Sequence, residues 1–208
     1  MASHRLIRSA LKMAEKSTHS KILILDFGSQ YTQVIARRIR ECQVYSEIIR
    51  FDTPAAEVAA LKPKGLILSG GPASVYDKGA PQIDPKIFSL GVPVLGICYG
   101  LMLMANHLGG RVVFTGRREY GAGVLRIKNG SELLGGLSEQ LDVWNSHGDE
   151  VTALPKGFRV AGTFQMGSNS DVRHGDGAVW KDSKRFAFCG TASTANLDEV
   201  EISPVDLR

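Results

Sequence analysis

A cysteine between two glycines is the part of this sequence with the clearest chemical potential. Cys98 lies within the segment Gly96–Gly100, after an apolar stretch that predicts a short buried strand and before a run of good helix formers. A strand, a sharp turn that carries a nucleophile and a helix form a nucleophile elbow, whose side chain projects from the end of a sheet. A helix N-terminus favours an anion, so we expect a lowered pKa for the Cys98 thiol. The alternative is a core cysteine at the end of a strand, because free cysteine is among the most buried residues.

The segments around the elbow alternate between apolar runs and helical patterns. Short continuous apolar runs, typical of buried parallel strands, occur at 21–26, 44–51, 65–68 and 92–97. Helical patterns lie between them at 31–42, 54–61 and 85–90. This alternation predicts an α/β fold, with a mostly parallel open sheet and helices on both faces.

The pattern changes after Gly110, where short strands follow one another without long helices. They are predicted at 111–114, 123–127, 141–144 and 158–161, with a closing hairpin at 177–188. Strands joined without helical crossovers pair antiparallel, so we expect an antiparallel extension of the sheet.

Composition limits the classes of protein that fit. The chain has 208 residues, 43% of them hydrophobic, which suits one domain with a substantial core. Its three cysteines have no close spacing, so we expect no disulfide framework, no metal site and a reducing, cytoplasmic compartment. The net charge is +4, most of it in a basic N-terminal extension at 1–20, so no nucleic-acid surface is implied. No apolar run is long enough for a membrane span, and we expect no membrane contact.

Several motifs resemble those of the class I glutamine amidotransferases. The Gly-x-Cys-x-Gly pattern around Cys98 is common to the whole class. The stretches Asp26–Gln33 and Trp144–Asp149 resemble the amidotransferase domain of GMP synthases in particular, and Leu68–Pro72 and Arg118–Gly121 fit the same domain.

The extent of the resemblance predicts the domain boundaries. It covers about residues 21–188 and implies a class I glutamine amidotransferase fold with a flavodoxin-like core. We therefore predict an amidotransferase domain at 21–190, and a divergent, loosely ordered tail at 191–208.

The resemblance implies a reaction and a set of site residues. Cys98 would attack the side-chain amide of glutamine to form a glutamyl thioester, which water hydrolyses after ammonia has left. The backbone N–H groups of Gly71 and Tyr99 would form the oxyanion hole. Substrate-binding positions would be Gly70, Gly100 and Met102.

Two departures from the family pattern bear on activity. Met102 stands where the family has a glutamine that grips the substrate. The family also supplies its acid–base histidine and an orienting glutamate from a His-Pro-Glu motif, but this chain has no histidine after His174. The match stops abruptly after Phe188, as a frameshift would produce; a splice variant or true divergence would give the same protein.

The resemblance also predicts partners. Ammonia would pass to an ATP-pyrophosphatase (synthetase) domain or subunit that converts XMP to GMP, and the ATP and magnesium of that reaction would bind there. No cofactor is expected in this domain. The predicted partner contacts are Arg118, Glu119, His147 and Asp149, with His147 and Asp149 in a polar surface turn.

Three functions remain open from the sequence. The first is the glutaminase component of a GMP synthase. The second is a catalytically impaired relative that binds a synthetase subunit, or a frameshifted product. The third is another cysteine-elbow enzyme on the same α/β plan, such as a peptidase or a chaperone-like hydrolase.

Overall fold

A computed structural model describes residues 20–127, 134, 137–166, 179–181, 185–188 and 191–192. For strand residues 115–121, 144–147 and 164–166, and from residue 179 onward, it describes the backbone. The N-terminal extension, His174, Cys189 and most of the predicted tail lie outside the described residues.

The first half of the chain alternates strands and helices as its apolar pattern predicts. Its strands are β1 (Lys21–Asp26), β2 (Tyr45–Arg50), β3 (Gly65–Leu68) and β4 (Val94–Ile97). Its helices are α1 (Thr32–Glu41), α2 (Ala55–Ala60), a 3₁₀ helix (Pro85–Ser89) and α3 (Tyr99–His107).

The second half of the described chain is built from strands. They are β5 (Arg111–Ile127), β6 (Gln140–Ala153), β7 (Arg159–Met166), β8 (Val179–Lys181), β9 (Arg185–Phe188) and β10 (Thr191–Ala192). All ten described strands form one sheet in the order β10-β6-β5-β7-β8-β9-β4-β3-β1-β2. Strands β2, β1, β3, β4 and β9 pair in parallel, and the remaining pairs are antiparallel. The predicted parallel sheet with an antiparallel extension is therefore confirmed.

The strand order determines on which face of the sheet each helix lies, and it forms an edge of the kind at which α/β sheets bind ligands. The chain runs from β1 outward to β2, then crosses back over β1 to β3 and β4. Right-handed crossovers put α1 on one face of the sheet and the later connections on the other. The carboxyl ends of β1, β3 and β4 meet where this direction reverses, which is where open α/β sheets bind ligands.

The main hydrophobic core lies under that edge. It packs apolar side chains of β1, β3 and β4 against α3, in which every residue from Tyr99 to Ala105 is buried. A helix that is apolar all round lies inside a protein rather than on its surface. A smaller cluster around Leu125, Leu134 and Val143 supports the antiparallel strands.

Two sequence-based expectations about the second half were wrong. The predicted strands 111–114 and 123–127 are parts of one long strand, β5, and the predicted polar turn at His147–Asp149 lies inside β6. Glu119 pairs with His147 across these strands, beyond a register shift between Phe114 and Glu119. Ladder hydrogen bonds to a long partner strand satisfy this polar backbone, so it continues as a strand where local composition favours a turn.

The last described strands refine the predicted boundaries. β8 and β9 form the predicted antiparallel hairpin. β9 also pairs in parallel with β4, with Leu95 opposite Phe186, which the local pattern did not indicate. Thr191–Ala192 pairs with β6, so the sheet extends two residues past the boundary predicted at 190.

Candidate active site

Cys98 occupies the sharp turn between β4 and α3. Its backbone has φ 50° and ψ −110°, a conformation that non-glycine residues rarely adopt, and Tyr99 begins the helix immediately afterwards. Such a conformation costs about 1–3 kcal/mol and persists only where the surrounding structure fixes it. The predicted elbow geometry is present, with Cys98 at the carboxyl end of a central parallel strand.

The two flanking glycines make this turn sterically possible. A Cβ at Gly96 would lie 2.8 Å from the carbonyl oxygen of Gly100, and a Cβ at Gly100 would lie 2.6 Å from the Cβ of Leu68. Real Cβ atoms do not approach other atoms so closely. Gly100 is therefore a close-packing residue of the elbow, and its predicted contact with substrate stays a prediction.

The end of β3 lies directly beside the cysteine. A Cβ at Gly70 would lie 3.5 Å from the Cβ of Cys98, and one at Gly71 would lie 2.5 Å from the carbonyl oxygen of Phe27. The amide of Gly100 donates to the carbonyl of Ser69 over 3.1 Å, which ties the start of α3 to the end of β3. The structure thus brings together Gly70 and Cys98, which are far apart in the sequence.

The buried hydroxyl of Ser69 fixes the direction of this segment. Its Oγ accepts from the amide of Phe27 at 3.0 Å and donates to the carbonyl of Gly70 at 2.9 Å. Ser69 is fully buried, and a buried hydroxyl needs such partners to be stable. The sequence predicted no role for Ser69, whose only signal was its place in the motif Leu68–Pro72.

Tyr99 holds the first turn of α3 in place. Its ring is buried and packs against Phe27 with the centroids 5.4 Å apart, and its hydroxyl donates to the carbonyl of Pro81 at 2.6 Å. Burial, with the nearby charges of Asp77 and Asp149, raises the pKa of Tyr99 to about 12. The phenol is therefore a neutral donor at physiological pH, and it orients the residue that is predicted to supply an oxyanion-hole N–H.

The environment of the Cys98 thiol differs from the expectation. Burial raises the pKa of Cys98, and the negative charge of Asp149 raises it further, while a hydrogen bond from the backbone N–H of Tyr99 lowers it. The pKa is raised overall, because Cys98 is only partly exposed and burial disfavours the charged thiolate. The lowered pKa predicted from the helix N-terminus was therefore wrong, although the Tyr99 amide acts in the expected direction.

Asp149 is a buried carboxylate next to the elbow. It is 6% exposed, and its Oδ2 accepts from Ser74 Oγ at 2.7 Å and from the amide of Val75 at 3.3 Å. These contacts join β6 to the loop at residues 69–77, which we call the β3 loop. The predicted contact of Asp149 with a partner stays a prediction. Its burial argues against that contact, because little of its surface is accessible to another chain. No local sequence signal could have paired residues about 75 positions apart.

The other predicted residues lie around this centre. Met102 is buried in the main core, and its amide donates to the carbonyl of Cys98 at 3.1 Å, so it lies one helical turn from the nucleophile. The backbones of Arg118, Glu119 and His147 lie on the paired strands β5 and β6. Their predicted partner contacts stay predictions.

His107 is the one histidine whose side chain the structure describes. It ends α3, nine residues from Cys98, so the helix separates the two by about 13 Å. Its buried Nε2 has no hydrogen-bond partner among the described residues, and burial lowers its pKa. His107 is therefore a structural residue that is too distant to act on the thiol.

The described part of the chain offers neither a metal cluster nor a membrane helix. No group of three histidine, cysteine or acidic side chains there is arranged to hold a metal ion. None of the described helices has the length and apolar character needed to cross a membrane.

Comparison with known proteins identifies the family. The model of the class I glutamine amidotransferases matches residues 23–180. The chain belongs to this family. Elbow, β3 loop and mixed sheet are thus features of a class I glutamine amidotransferase domain, which confirms the predicted resemblance.

Two relatives that this amidotransferase domain is similar to are GMP synthases. A glutamine-hydrolysing GMP synthase of Bacillus cereus (strain B4264) is 55% identical, over 91% of this chain and 41% of that protein. The corresponding protein of Parafrankia sp. (strain EAN1pec) is 57% identical, over 68% of this chain and 27% of its own length. The domain therefore spans about two fifths or less of these relatives.

Solved structures agree with the fold of the amidotransferase domain. A putative GMP synthase subunit from Thermoplasma acidophilum superposes with a TM-score of 0.68 at 27% identity, covering 83% of both chains. A glutamine amidotransferase from Thermotoga maritima gives a TM-score of 0.63 at 19% identity, over 83% of this chain and 75% of that one. The second likeness concerns the fold alone.

Proposed function

We propose that this domain is the glutamine-hydrolysing component of a GMP synthase. The observation that carries the proposal is Cys98 at positive φ between β4 and α3, with the Tyr99 amide directed at its sulfur and Gly70 against its Cβ. Two relatives, at 55% and 57% identity, are GMP synthases, and this supports a role in GMP synthesis.

The proposed reaction follows from this arrangement. The Cys98 thiolate attacks the carboxamide carbon of glutamine and forms a C–S bond, while the carbonyl oxygen becomes an oxyanion. The N–H groups of Gly71 and Tyr99 stabilise that oxyanion. The C–N bond then breaks, the nitrogen takes up a proton and leaves as ammonia, and water hydrolyses the thioester to glutamate.

Proton transfer is the weak step of this scheme. The raised pKa of Cys98 means that a base must remove the thiol proton at neutral pH, and departing ammonia needs an acid. The family's His-Pro-Glu motif is absent from the sequence, and His107 is too distant. We therefore propose that the chain as it stands has little or no glutaminase activity. This favours the alternative of an impaired relative that binds a synthetase subunit.

The proposed partner is the ATP-pyrophosphatase domain or subunit of a GMP synthase. The chain matches only 41% of the Bacillus cereus relative, and the putative GMP synthase subunit of Thermoplasma acidophilum is similar over most of its own length. ATP and magnesium would bind to that partner, and the pair would work in the cytoplasm.

A glutaminase assay with the partner present tests the proposal. Purified chain is mixed with a GMP synthase ATP-pyrophosphatase subunit, XMP, ATP and magnesium, and the release of glutamate from glutamine, which the subunit does not consume, is measured against Cys98→Ala. Any release that Cys98→Ala abolishes supports an active amidotransferase. No release, together with co-purification of the subunit, supports the binding role. No release and no co-purification would argue against both.

The frameshift hypothesis has its own test. The gene is sequenced and the intact protein mass is measured. An uninterrupted reading frame through residue 208, with the mass that the printed sequence requires, would rule out a frameshift and leave splicing or divergence as the origin of the tail.

A further inference from the structure

The β3 loop is held by local hydrogen bonds and by bonds to neighbouring elements, among them one from the Tyr76 hydroxyl to the carbonyl of Val112 on β5. One set is local: Ser74 donates its amide to Asp77 Oδ2 at 2.7 Å, and the amide of Tyr76 donates to Ser74 Oγ at 3.3 Å. Another set reaches Asp149, which accepts from Ser74 Oγ and from the amide of Val75. The local bonds give the turn its shape, and the bonds to Asp149, with the Tyr76 bond to β5 and the buried Val75 side chain, determine where that turn lies relative to the sheet.

Asp149 is well suited to hold the loop from a distance. Its carboxylate is 6% exposed, and a buried charge is stable only when strong hydrogen bonds replace the water it has lost. Hydrogen bonds to an ionised acceptor are roughly twice as strong as those between neutral groups. β6, which carries Asp149, pairs with β5 on both sides of a register shift, and Asp149 itself lies opposite Phe114. The carboxylate therefore anchors the loop to β6.

The anchored position lies close to the predicted oxyanion hole. Gly71 precedes Ser74 by three residues, with Pro72 between them, whose ring restricts the backbone. Gly71 already fits tightly against the carbonyl of Phe27. Because only Pro72 and Ala73 lie between them, the position of Ser74 restricts the direction of the Gly71 N–H.

We propose that Asp149 is a positioning residue of the glutaminase site, which holds the Gly71 N–H beside Cys98 through its hydrogen bonds to Ser74 and Val75. This role rests on the proposed function, because Gly71 matters only if an oxyanion forms there. It differs from the partner contact predicted from the sequence, since the carboxylate faces the chain's own loop.

Two alkylating probes separate positioning from general thiol reactivity. Iodoacetamide reports the exposure and ionisation of Cys98. The chloromethyl ketone analogue of glutamine must also bind as glutamine does, with its ketone oxygen in the oxyanion hole. In both reactions the thiolate sulfur forms a bond to carbon while the carbon–halogen bond breaks and halide leaves. The ratio of the chloroketone rate to the iodoacetamide rate therefore measures the binding geometry, and it needs no catalytic histidine.

The variants are Asp149→Asn and Ser74→Ala, with Asp142→Asn as the matched control, because Asp142 is an exposed acid on the same strand. Removal of one oxyanion donor costs about 10²–10³-fold in rate, and a displaced donor costs less, so we expect the ratio to fall about tenfold in Asp149→Asn. Iodoacetamide alone should react with this variant as fast as with the wild type or faster, because a negative charge near the thiol is gone. Ser74→Ala should lower the ratio by about 3- to 10-fold at an unchanged iodoacetamide rate.

Each outcome decides the matter. Saturable chloroketone labelling of the wild type, with an unchanged ratio in both variants, would overturn the role of Asp149 and leave the proposed function standing. A fall in Asp149→Asn alone would also overturn it, because the effect would then come from charge and not from the loop. No saturable labelling of the wild type would overturn the proposed function and this role together. If Asp149→Asn does not fold, the Ser74→Ala ratio decides.

Discussion

Gly71→Ala is a sharp test of how tightly the β3 loop is packed. The added Cβ would lie 2.5 Å from the carbonyl oxygen of Phe27, whereas ordinary contacts begin at 3.4 Å, so about 0.9 Å must be gained by movement. Phe27 cannot easily move, because its amide is bonded to Ser69 Oγ and its ring packs against Tyr99. Overpacking of this kind costs about 1–3 kcal/mol. For a domain of this size the melting temperature should fall by about 2–12 °C.

The assay is thermal unfolding followed by circular dichroism, with two control substitutions. Gly70→Ala places its Cβ 3.5 Å from its neighbours, and Gly148→Ala places its Cβ 3.9 Å from the ring of Phe114. Both distances are ordinary contacts, so we expect stability changes within about 0.5 kcal/mol. If Gly71→Ala melts within about 1 °C of the wild type while both controls behave as expected, the close approach of Gly71 to Phe27 is refuted.

Three further outcomes follow from the site and its helix. Because burial and Asp149 raise the pKa of Cys98, its alkylation by iodoacetamide should increase with pH through a midpoint above the ordinary cysteine value of about 8.5. A midpoint below that value would contradict this. Burial lowers the pKa of His107, so the unfolded chain binds more protons and the free energy of unfolding should fall as the pH falls below about 6.5. Urea unfolding at pH 7.5 and 5.5 should show a smaller decrease in this free energy for His107→Leu than for the wild type. Tyr99→Phe removes the donor to Pro81 and should cost about 1 kcal/mol in urea unfolding, and no loss would mean that water replaces the hydroxyl.

Local pattern was sufficient for strands β1 to β4 of the parallel sheet, but not for the parallel pairing of β9. The run Lys21–Asp26 is apolar because a strand buried on both faces needs no alternation, and the structure has β1 at those residues. The elbow was predictable for a related reason. A sharp turn of this kind needs glycines on both sides of the cysteine, because neighbouring backbone leaves no room for a Cβ there. The close contacts that a Cβ would make at Gly96 and at Gly100 show this.

Long-range pairing was not predictable from local pattern. The polar stretch at His147–Asp149 favours a turn on its own, and it becomes a strand because β5 supplies partners along its length. The upward direction of the Cys98 pKa likewise depends on Asp149, a residue that only the folded chain brings near. Sequence motifs located the sharp turn at Cys98, but the electrostatic surroundings of its thiol depend on tertiary contacts.

The pairing of β9 with β4 has a consequence for how the chain folds. Leu95 and Phe186, which face each other in this ladder, are separated by 91 residues, so the strand behind the nucleophile acquires its second neighbour late in synthesis. Such non-local pairing slows folding, because the entropy of closing a long loop is lost before the contact forms. Until residue 188 has left the ribosome, β4 is an open edge that can pair with other chains. The strand that leads into Cys98 thus depends for its protection from aggregation on a segment about 90 residues further along the chain.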